Sequence, residues 1–201
     1  MNDRDRIVVI DSFIPQEVSI ELEQIIKKCV FSSTEIPPNK KGEYLKEKLD
    51  KERGVVHTWP TSTIKDMDNE NSDLYNILKN YVPVIGTEIE KNFSCSVFQE
   101  TYFTVTVYKV GESLAPHYDS KTARYPLEEK TPNGHRSRDI SSVLYINDDY
   151  VGGEINFKWG VKIKPRKGSL VLFPASEKYT HYTDAVVSGM KCVVPQFWCV
   201  E

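Results

Sequence analysis

The sequence predicts an α+β chain, with mainly helical support over residues 1–94 and a β core over 95–201, together one domain spanning 1–201. Two observations point to this. Apolar residues recur at helical spacing at Val18, Leu22, Ile25, Ile26 and Cys29, and again from Leu74 to Phe93. After Ser94 the texture changes to short β-branched and aromatic runs cut by Gly, Pro and Asp. Many short strands at such spacing suit a sandwich or barrel.

In chain order, "RIVVIDSFIPQE" reads as a strand, a turn and the start of a helix, with Pro15 in the first helical turn. Residues 32–71 are polar and charged. Within them "KKGEYLKEKLDKERG" reads as a solvated helix and "HTWPTSTIKDMDNEN" as a loop, and the whole insertion is a candidate lid. Ser72 can cap a second helix. Pro83 predicts a kink or a restart in it, because proline removes a donor and clashes with the preceding turn. The strands then follow as "VFQETYFTVTVYKV", "DISSVLYIND", "GGEINFKW", "GVKIKP", "GSLVLFP" and "KCVVPQFWCV".

Composition narrows the classes of function. With 39% hydrophobic and 27% charged residues among 201, the chain has the balance of a globular protein. A net charge of -3 argues against nucleic acid or an anionic membrane as partner. The opening "MNDRDRIVVIDSF" lacks the apolar run of a signal peptide, and no stretch reaches the roughly 18 apolar residues of a membrane span. The four cysteines, Cys29, Cys95, Cys192 and Cys199, form no C-x-x-C pair, which argues against structural zinc and fits thiols in a cytoplasmic protein.

The chemistry centres on "GESLAPHYDSKTARY". Residues i and i+2 of a strand share a face, so His117 and Asp119 can aim an imidazole and a carboxylate at one point. The chain has four histidines. His57 and His135 lie in polar segments, whereas His181 follows the apolar "GSLVLFPASEKYT" and is the best third ligand. Two histidines and a carboxylate cover one face of an octahedral ion and leave the rest open, which suits Fe(II) oxygenases. An H-x-D pair alone is more often an exposed polar pair, and a lone histidine is more often simply hydrogen-bonded. Lys191 adds weight. It sits in "MKCVVPQFW", a strand that should be buried, where an ammonium is costly without an anion. It either snorkels from a strand end or, beside a metal, pairs with a dicarboxylate co-substrate.

In order and spacing these residues resemble the prolyl-4-hydroxylase-type group of Fe(II)/2-oxoglutarate-dependent oxygenases from about Tyr108 to Trp198. The shared pattern is Tyr108 nine residues before His117 in "YKVGESLAPHYD", Arg138 and Ser141 in "RDISSVLYIND", the "GGEINF" hairpin, "PRKGSLVLFP", and His181 ten residues before Lys191 in "HYTDAVVSGMK". The opening "IVVIDSFIPQE" resembles the start of the family's helical support. The resemblance implies a double-stranded β-helix, the cupin-like jelly roll. It implies Fe(II) on His117, Asp119 and His181, and 2-oxoglutarate on Lys191, Tyr108 and Ser141, with ascorbate as an accessory reductant. It further implies substrate against Arg138, and hydroxylation of a peptidyl proline coupled to conversion of 2-oxoglutarate and O2 to succinate and CO2.

The chain also departs from that pattern. Leu114 stands where peptide hydroxylases of this type commonly carry tyrosine, and Phe197 and Cys199 stand where they often carry Trp and His. A protein or peptide substrate therefore shares the field with a free amino acid or other small molecule, and a non-catalytic jelly-roll module is the alternative from another class. The polar loop from Ser120 to Ser137 is a candidate substrate lid.

Overall fold

A computed structural model of the chain describes residues 6–32, 62–64, 73–99, 105–120 and 138–201. The first helix, α1 (Gln16–Ser32), begins directly after Pro15, and α2 (Asp73–Leu78) is separated from α3 (Val82–Phe93) by one turn. Pro83 falls at the start of α3, so the predicted interruption is a restart rather than a kink. The helix ends at Ser94, whose left-handed backbone (φ 51°) lets its N–H reach the Glu90 carbonyl. Leu22 and Ile26 of α1 and Ile85, Ile89 and Phe93 of α3 are fully buried. Each such side chain contributes about 1.5–3 kcal/mol by leaving water, which is why these helices lie against the sheet.

Thirteen strands occur among the described residues: β1 (Val8–Ile10), β2 (Ser62–Ile64), β3 (Val97–Gln99), β4 (Val105–Tyr108), β5 (Leu114–His117), β6 (Ile140–Tyr145), β7 (Val151–Gly152), β8 (Ile155–Phe157), β9 (Lys162–Ile163), β10 (Leu170–Pro174), β11 (His181–Thr183), β12 (Val186–Ser188) and β13 (Lys191–Val200). The larger sheet runs β1-β10-β6-β13-β4-β2, with β3 also on β13, and the smaller runs β5-β11-β8-β9. A short β12-β7 ribbon completes the set. The chain thus adopts the expected jelly roll, with helices outside the larger sheet.

The alternation of β13 divides the interior. Cys192, Val194 and Trp198 join the helix-side core, whereas Lys191 and Val193 point the other way, toward the space lined by the second sheet. A proline inside a central strand needs a reason, since it cannot donate to the ladder. Pro195 sits where one flank of β13 changes partner, from β4 at residues 191–193 to β3 at 198–200, while the other flank stays paired to β6. The "PRKG" turn packs on the start of α1. Gly168 has φ +76°, and an added Cβ there would lie 2.8 Å from the Ile14 carbonyl oxygen, which only glycine avoids.

One expectation is corrected. Part of "HTWPTSTIKDMDNEN", read as loop, forms β2, an edge strand pairing Thr63 with Thr106 and Ile64 with Val105. Hydrogen-bonding to the open flank of β4 outweighs the polar composition around it. The solvated helix and lid expected in the rest of 32–71, the cap at Ser72, and the 121–137 part of the second lid lie outside the described residues, as do His57 and His135. Among the described residues no helix is long and apolar enough to cross a membrane.

Candidate active site

The antiparallel register of the smaller sheet assembles the candidate metal centre. His181, the first residue of β11, lies opposite His117, the last of β5, and opposite Phe157, the last of β8. Directly opposed residues share a face, so the two imidazoles meet, with ring centroids 4.4 Å apart. Asp119 projects just past the end of β5. Its Oδ1 is 3.5 Å from His117 Nε2, and its Oδ2 is 3.9 Å from His181 Nε2. One potential ligand atom from each residue lies within 4.8 Å of the others, so the structure brings together all three residues singled out in the sequence.

The surroundings fix which nitrogen is offered. His117 Nδ1 is 2.8 Å from the Ala115 carbonyl oxygen and His181 Nδ1 is 3.0 Å from that of Tyr179. In each case the carbonyl two residues back accepts a hydrogen bond from Nδ1–H, leaving Nε2 as the lone-pair donor toward Asp119. Burial would raise the Asp119 carboxyl, but contact with His117, the fields of His181 and His117, and the Ser141 hydroxyl outweigh it and hold it below its ordinary value. Burial lowers His181. Burial works in the same direction on His117, but the adjacent carboxylate reverses it and raises that imidazole. A carboxylate kept ionised beside two histidines of fixed tautomer is a donor set that fits a divalent transition metal.

The same cavity, about 270 Å³, is lined by these three residues and by Tyr108, Tyr145, Thr183 and Lys191. Lys191 pairs in register with Tyr108 and is only 2% exposed. Its ammonium donates to the Gly153 carbonyl at 2.8 Å and faces the rings of Tyr108 and Tyr145, with centroids 4.9 and 5.3 Å away. No described carboxylate lies within 4.0 Å of it; burial pushes it down to about 7, while Glu154 and Asp184 act on it only at longer range. The lysine is therefore inside the cavity, not snorkelling out of it, and a ligand anion is the counter-charge the site lacks. Burial also keeps the Tyr108 phenol protonated, with the Thr183 hydroxyl hydrogen-bonded to it.

Two expected residues stand at the margin. Ser141, expected on the co-substrate, is 2% exposed and donates from Oγ to Asp119 Oδ2 at 2.7 Å. Arg138 lies with its guanidinium carbon 3.6 Å above the centroid of Phe197, which is on the cavity wall. Leu114 is also on that wall, and Cys199 is fully buried. Tyr145 and Thr183 were not singled out from the sequence. A period of two would have found them, since Tyr145 follows Ser141 by four and Thr183 follows His181 by two.

The site of this jelly roll thus combines two histidines and a carboxylate with a buried lysine. Residues 103–199 match the model of the 2OG-Fe(II) oxygenase superfamily. Prolyl 3-hydroxylase 2 of Rattus norvegicus and of Homo sapiens are each 32% identical to the chain over 78 residues, which is 36% of this chain and 11% of theirs. The chain thus spans about a tenth of the curated relatives it matches. Among solved structures, the viral collagen prolyl hydroxylase of Paramecium bursaria Chlorella virus-1 aligns with a TM-score of 0.58 at 17% identity, over 98% of this chain and 97% of that one. A Trichoplax adhaerens prolyl hydroxylase, in complex with a hypoxia inducible factor peptide fragment, aligns at 0.65 and 15% identity, over 96% and 82%. A Pseudomonas putida prolyl-4-hydroxylase aligns at 0.61 and 16% identity, over 95% and 91%. At these identities the structural likeness speaks for the fold.

The Ser141 contact gives a measurable expectation. Ser141→Ala removes the hydroxyl that donates to Asp119 Oδ2 without touching a candidate ligand atom. Loss of such an outer partner costs roughly 10–100-fold in metal affinity. Anaerobic titration with Mn(II) should show a drop in that range, with the 2-oxoglutarate affinity of the metal-saturated protein nearly unchanged. A selective loss of 2-oxoglutarate affinity would instead place Ser141 on the co-substrate.

Proposed function

We propose that this chain is an Fe(II)- and 2-oxoglutarate-dependent hydroxylase of a peptidyl proline, with residues 95–201 as catalytic core and 1–94 as support within one domain. The observation that carries the reading is the shared cavity: three convergent metal-type donors and a buried ammonium with no carboxylate partner among the described residues. His117, Asp119 and His181 would hold the iron. Lys191 would pair with the distal carboxylate of 2-oxoglutarate, a charge-assisted bond strengthened by exclusion of water. Tyr108, kept protonated by burial, can donate to the same carboxylate.

Iron with 2-oxoglutarate and O2 supplies the oxidising power, one oxygen atom entering succinate as CO2 leaves and the other entering the substrate C–H bond. The protein's share is positioning and insulation. Ser141 orients Asp119, the backbone carbonyls of Ala115 and Tyr179 orient the imidazoles, and the apolar Leu114, Val143 and Phe197 keep the cavity wall dry. Arg138, stacked on Phe197, would be the residue that meets the substrate. A free amino acid is the second reading, favoured by Leu114 in place of a polar peptide-facing ring.

The test is aerobic turnover of 2-oxoglutarate to succinate with added Fe(II), followed by mass spectrometry of proline-containing peptides for the gain of one oxygen atom. Iron-dependent succinate together with an oxygenated peptide is the expected result. Absence of iron-dependent succinate in every mixture rules out the oxygenase. Succinate with oxygen gained only by a free amino acid moves the substrate to the second reading.

A further inference from the structure

We propose that Trp159 is a specificity-determining residue for a polypeptide substrate, a rigid aromatic platform on the rim of the active-site cleft that takes an apolar residue, proline above all, about three positions from the hydroxylated one. This rests on the peptide reading above and adds to it a contact point and a distance.

The register places Trp159 at the rim. His117, His181 and Phe157 form one row across the smaller sheet, at the end where β5 and β8 finish and β11 starts. Both β5 and β8 run antiparallel to β11, so they point the same way. Asp119 follows His117 by two residues and Trp159 follows Phe157 by two. Both therefore lie past the same end of the sheet, Trp159 outside the residues that line the cavity and separated from His181 by Phe157. β5, which leads to Asp119, and β8, which leads to Trp159, are two strand spacings apart, about 10 Å. An extended or polyproline chain covers that in about three residues.

The ring is also held in place. Trp159 lies in a tight turn closed by the Gly160 N–H on the Phe157 carbonyl, with Gly160 at φ +89°. Its indole stacks on Phe157, centroids 5.5 Å apart and planes 23° from parallel, and meets Tyr179 edge to face at 4.9 Å. Phe157 in turn packs on His181 at 5.6 Å. One face is thus covered, yet the residue remains 44% exposed. Burying this ring on a partner costs little further conformational entropy, because the protein has already fixed it. Fixed, half-open aromatic rings are the surfaces on which proline-rich extended chains dock.

The experiment is a substrate profile. Wild-type, Trp159→Ala and Trp159→Phe proteins are incubated with Fe(II), 2-oxoglutarate and a library of short peptides with one central proline and randomised flanks, and oxygenated products are sequenced by mass spectrometry. Affinities for Mn(II) and 2-oxoglutarate are measured alongside. Wild type should enrich proline or another apolar residue about three positions from the target on one side. Trp159→Ala should lose that enrichment and about tenfold in kcat/KM for the best peptides through KM. Trp159→Phe should keep it, and metal and 2-oxoglutarate affinities should hold in both variants. An unchanged flank profile in Trp159→Ala overturns the rim assignment and leaves the peptide reading standing. Loss of metal affinity in Trp159→Phe as well would make the ring a support for His181 and also overturns it. Failure of wild type to oxygenate any peptide while it forms succinate overturns the peptide reading and this inference together.

Discussion

His181→Ala should abolish iron-dependent turnover and lower Mn(II) affinity by more than about 100-fold, the upper end of what removal of a mere outer-shell partner costs. The substitution deletes Nε2, the atom that faces Asp119 Oδ2 at 3.9 Å, and leaves two donors where three converge. It also opens a void between the rings of Phe157 and Phe173, whose centroids lie 5.6 and 4.9 Å from the imidazole. A stability loss accompanies a cavity of that kind, so metal affinity must be read on protein shown to be folded by circular dichroism. His117→Ala provides the second variant. His117 is half-buried at the strand end and has fewer aromatic neighbours, so its loss should spare the fold while removing the metal. Near-normal metal affinity in either folded variant would rule out the three-residue centre.

Much of this centre was legible in the sequence because its parts lie on strands. The i, i+2 rule puts His117 and Asp119 on one side without knowledge of any partner strand. Lys191 stood out because an ammonium in "MKCVVPQFW" is a conflict between charge and burial, and such conflicts mark function. The helix restart at Pro83 follows from proline's missing donor. Register was not legible. That His181 sits opposite both His117 and Phe157 is a fact of non-local pairing, and no local pattern encodes which of several strands will be neighbours. The contact of Ser141 with Asp119 and the place of Trp159 on the rim both depend on that pairing. The short strand β2 was missed for a related reason: three residues carry too little periodicity, and the open flank of β4 that recruits them is far away in sequence.

Lys191→Ala should weaken 2-oxoglutarate binding by about two orders of magnitude or more. Removing one partner of a buried charge pair costs about 3–5 kcal/mol, because the other charge is left buried and unpaired, and each 1.4 kcal/mol is about tenfold in affinity. In the free protein the situation is reversed: among the described residues the ammonium has no carboxylate partner and rests on the Gly153 carbonyl and two tyrosine faces. This gives opposite signs with pH. The folded value, about 7, lies below that of an exposed lysine, so between the two the unfolded chain binds more protons. For this group alone, the stability of the free protein rises with pH across that window. Affinity for the dicarboxylate runs the other way, since the anion needs the charged form, and it should fall as pH climbs above about 7. Lys191→Arg should recover only part of the affinity. A Cβ at Gly153 would already lie 3.2 Å from Lys191 Cδ, so the cradle is tight, and a broad planar guanidinium replaces a compact ammonium poorly. Anaerobic calorimetry with Mn(II) in place of iron measures each variant across pH. Wild-type affinity in Lys191→Ala would remove the lysine from the co-substrate site, and a pH-independent wild-type affinity would mean that the buried ammonium is not the group the dicarboxylate meets.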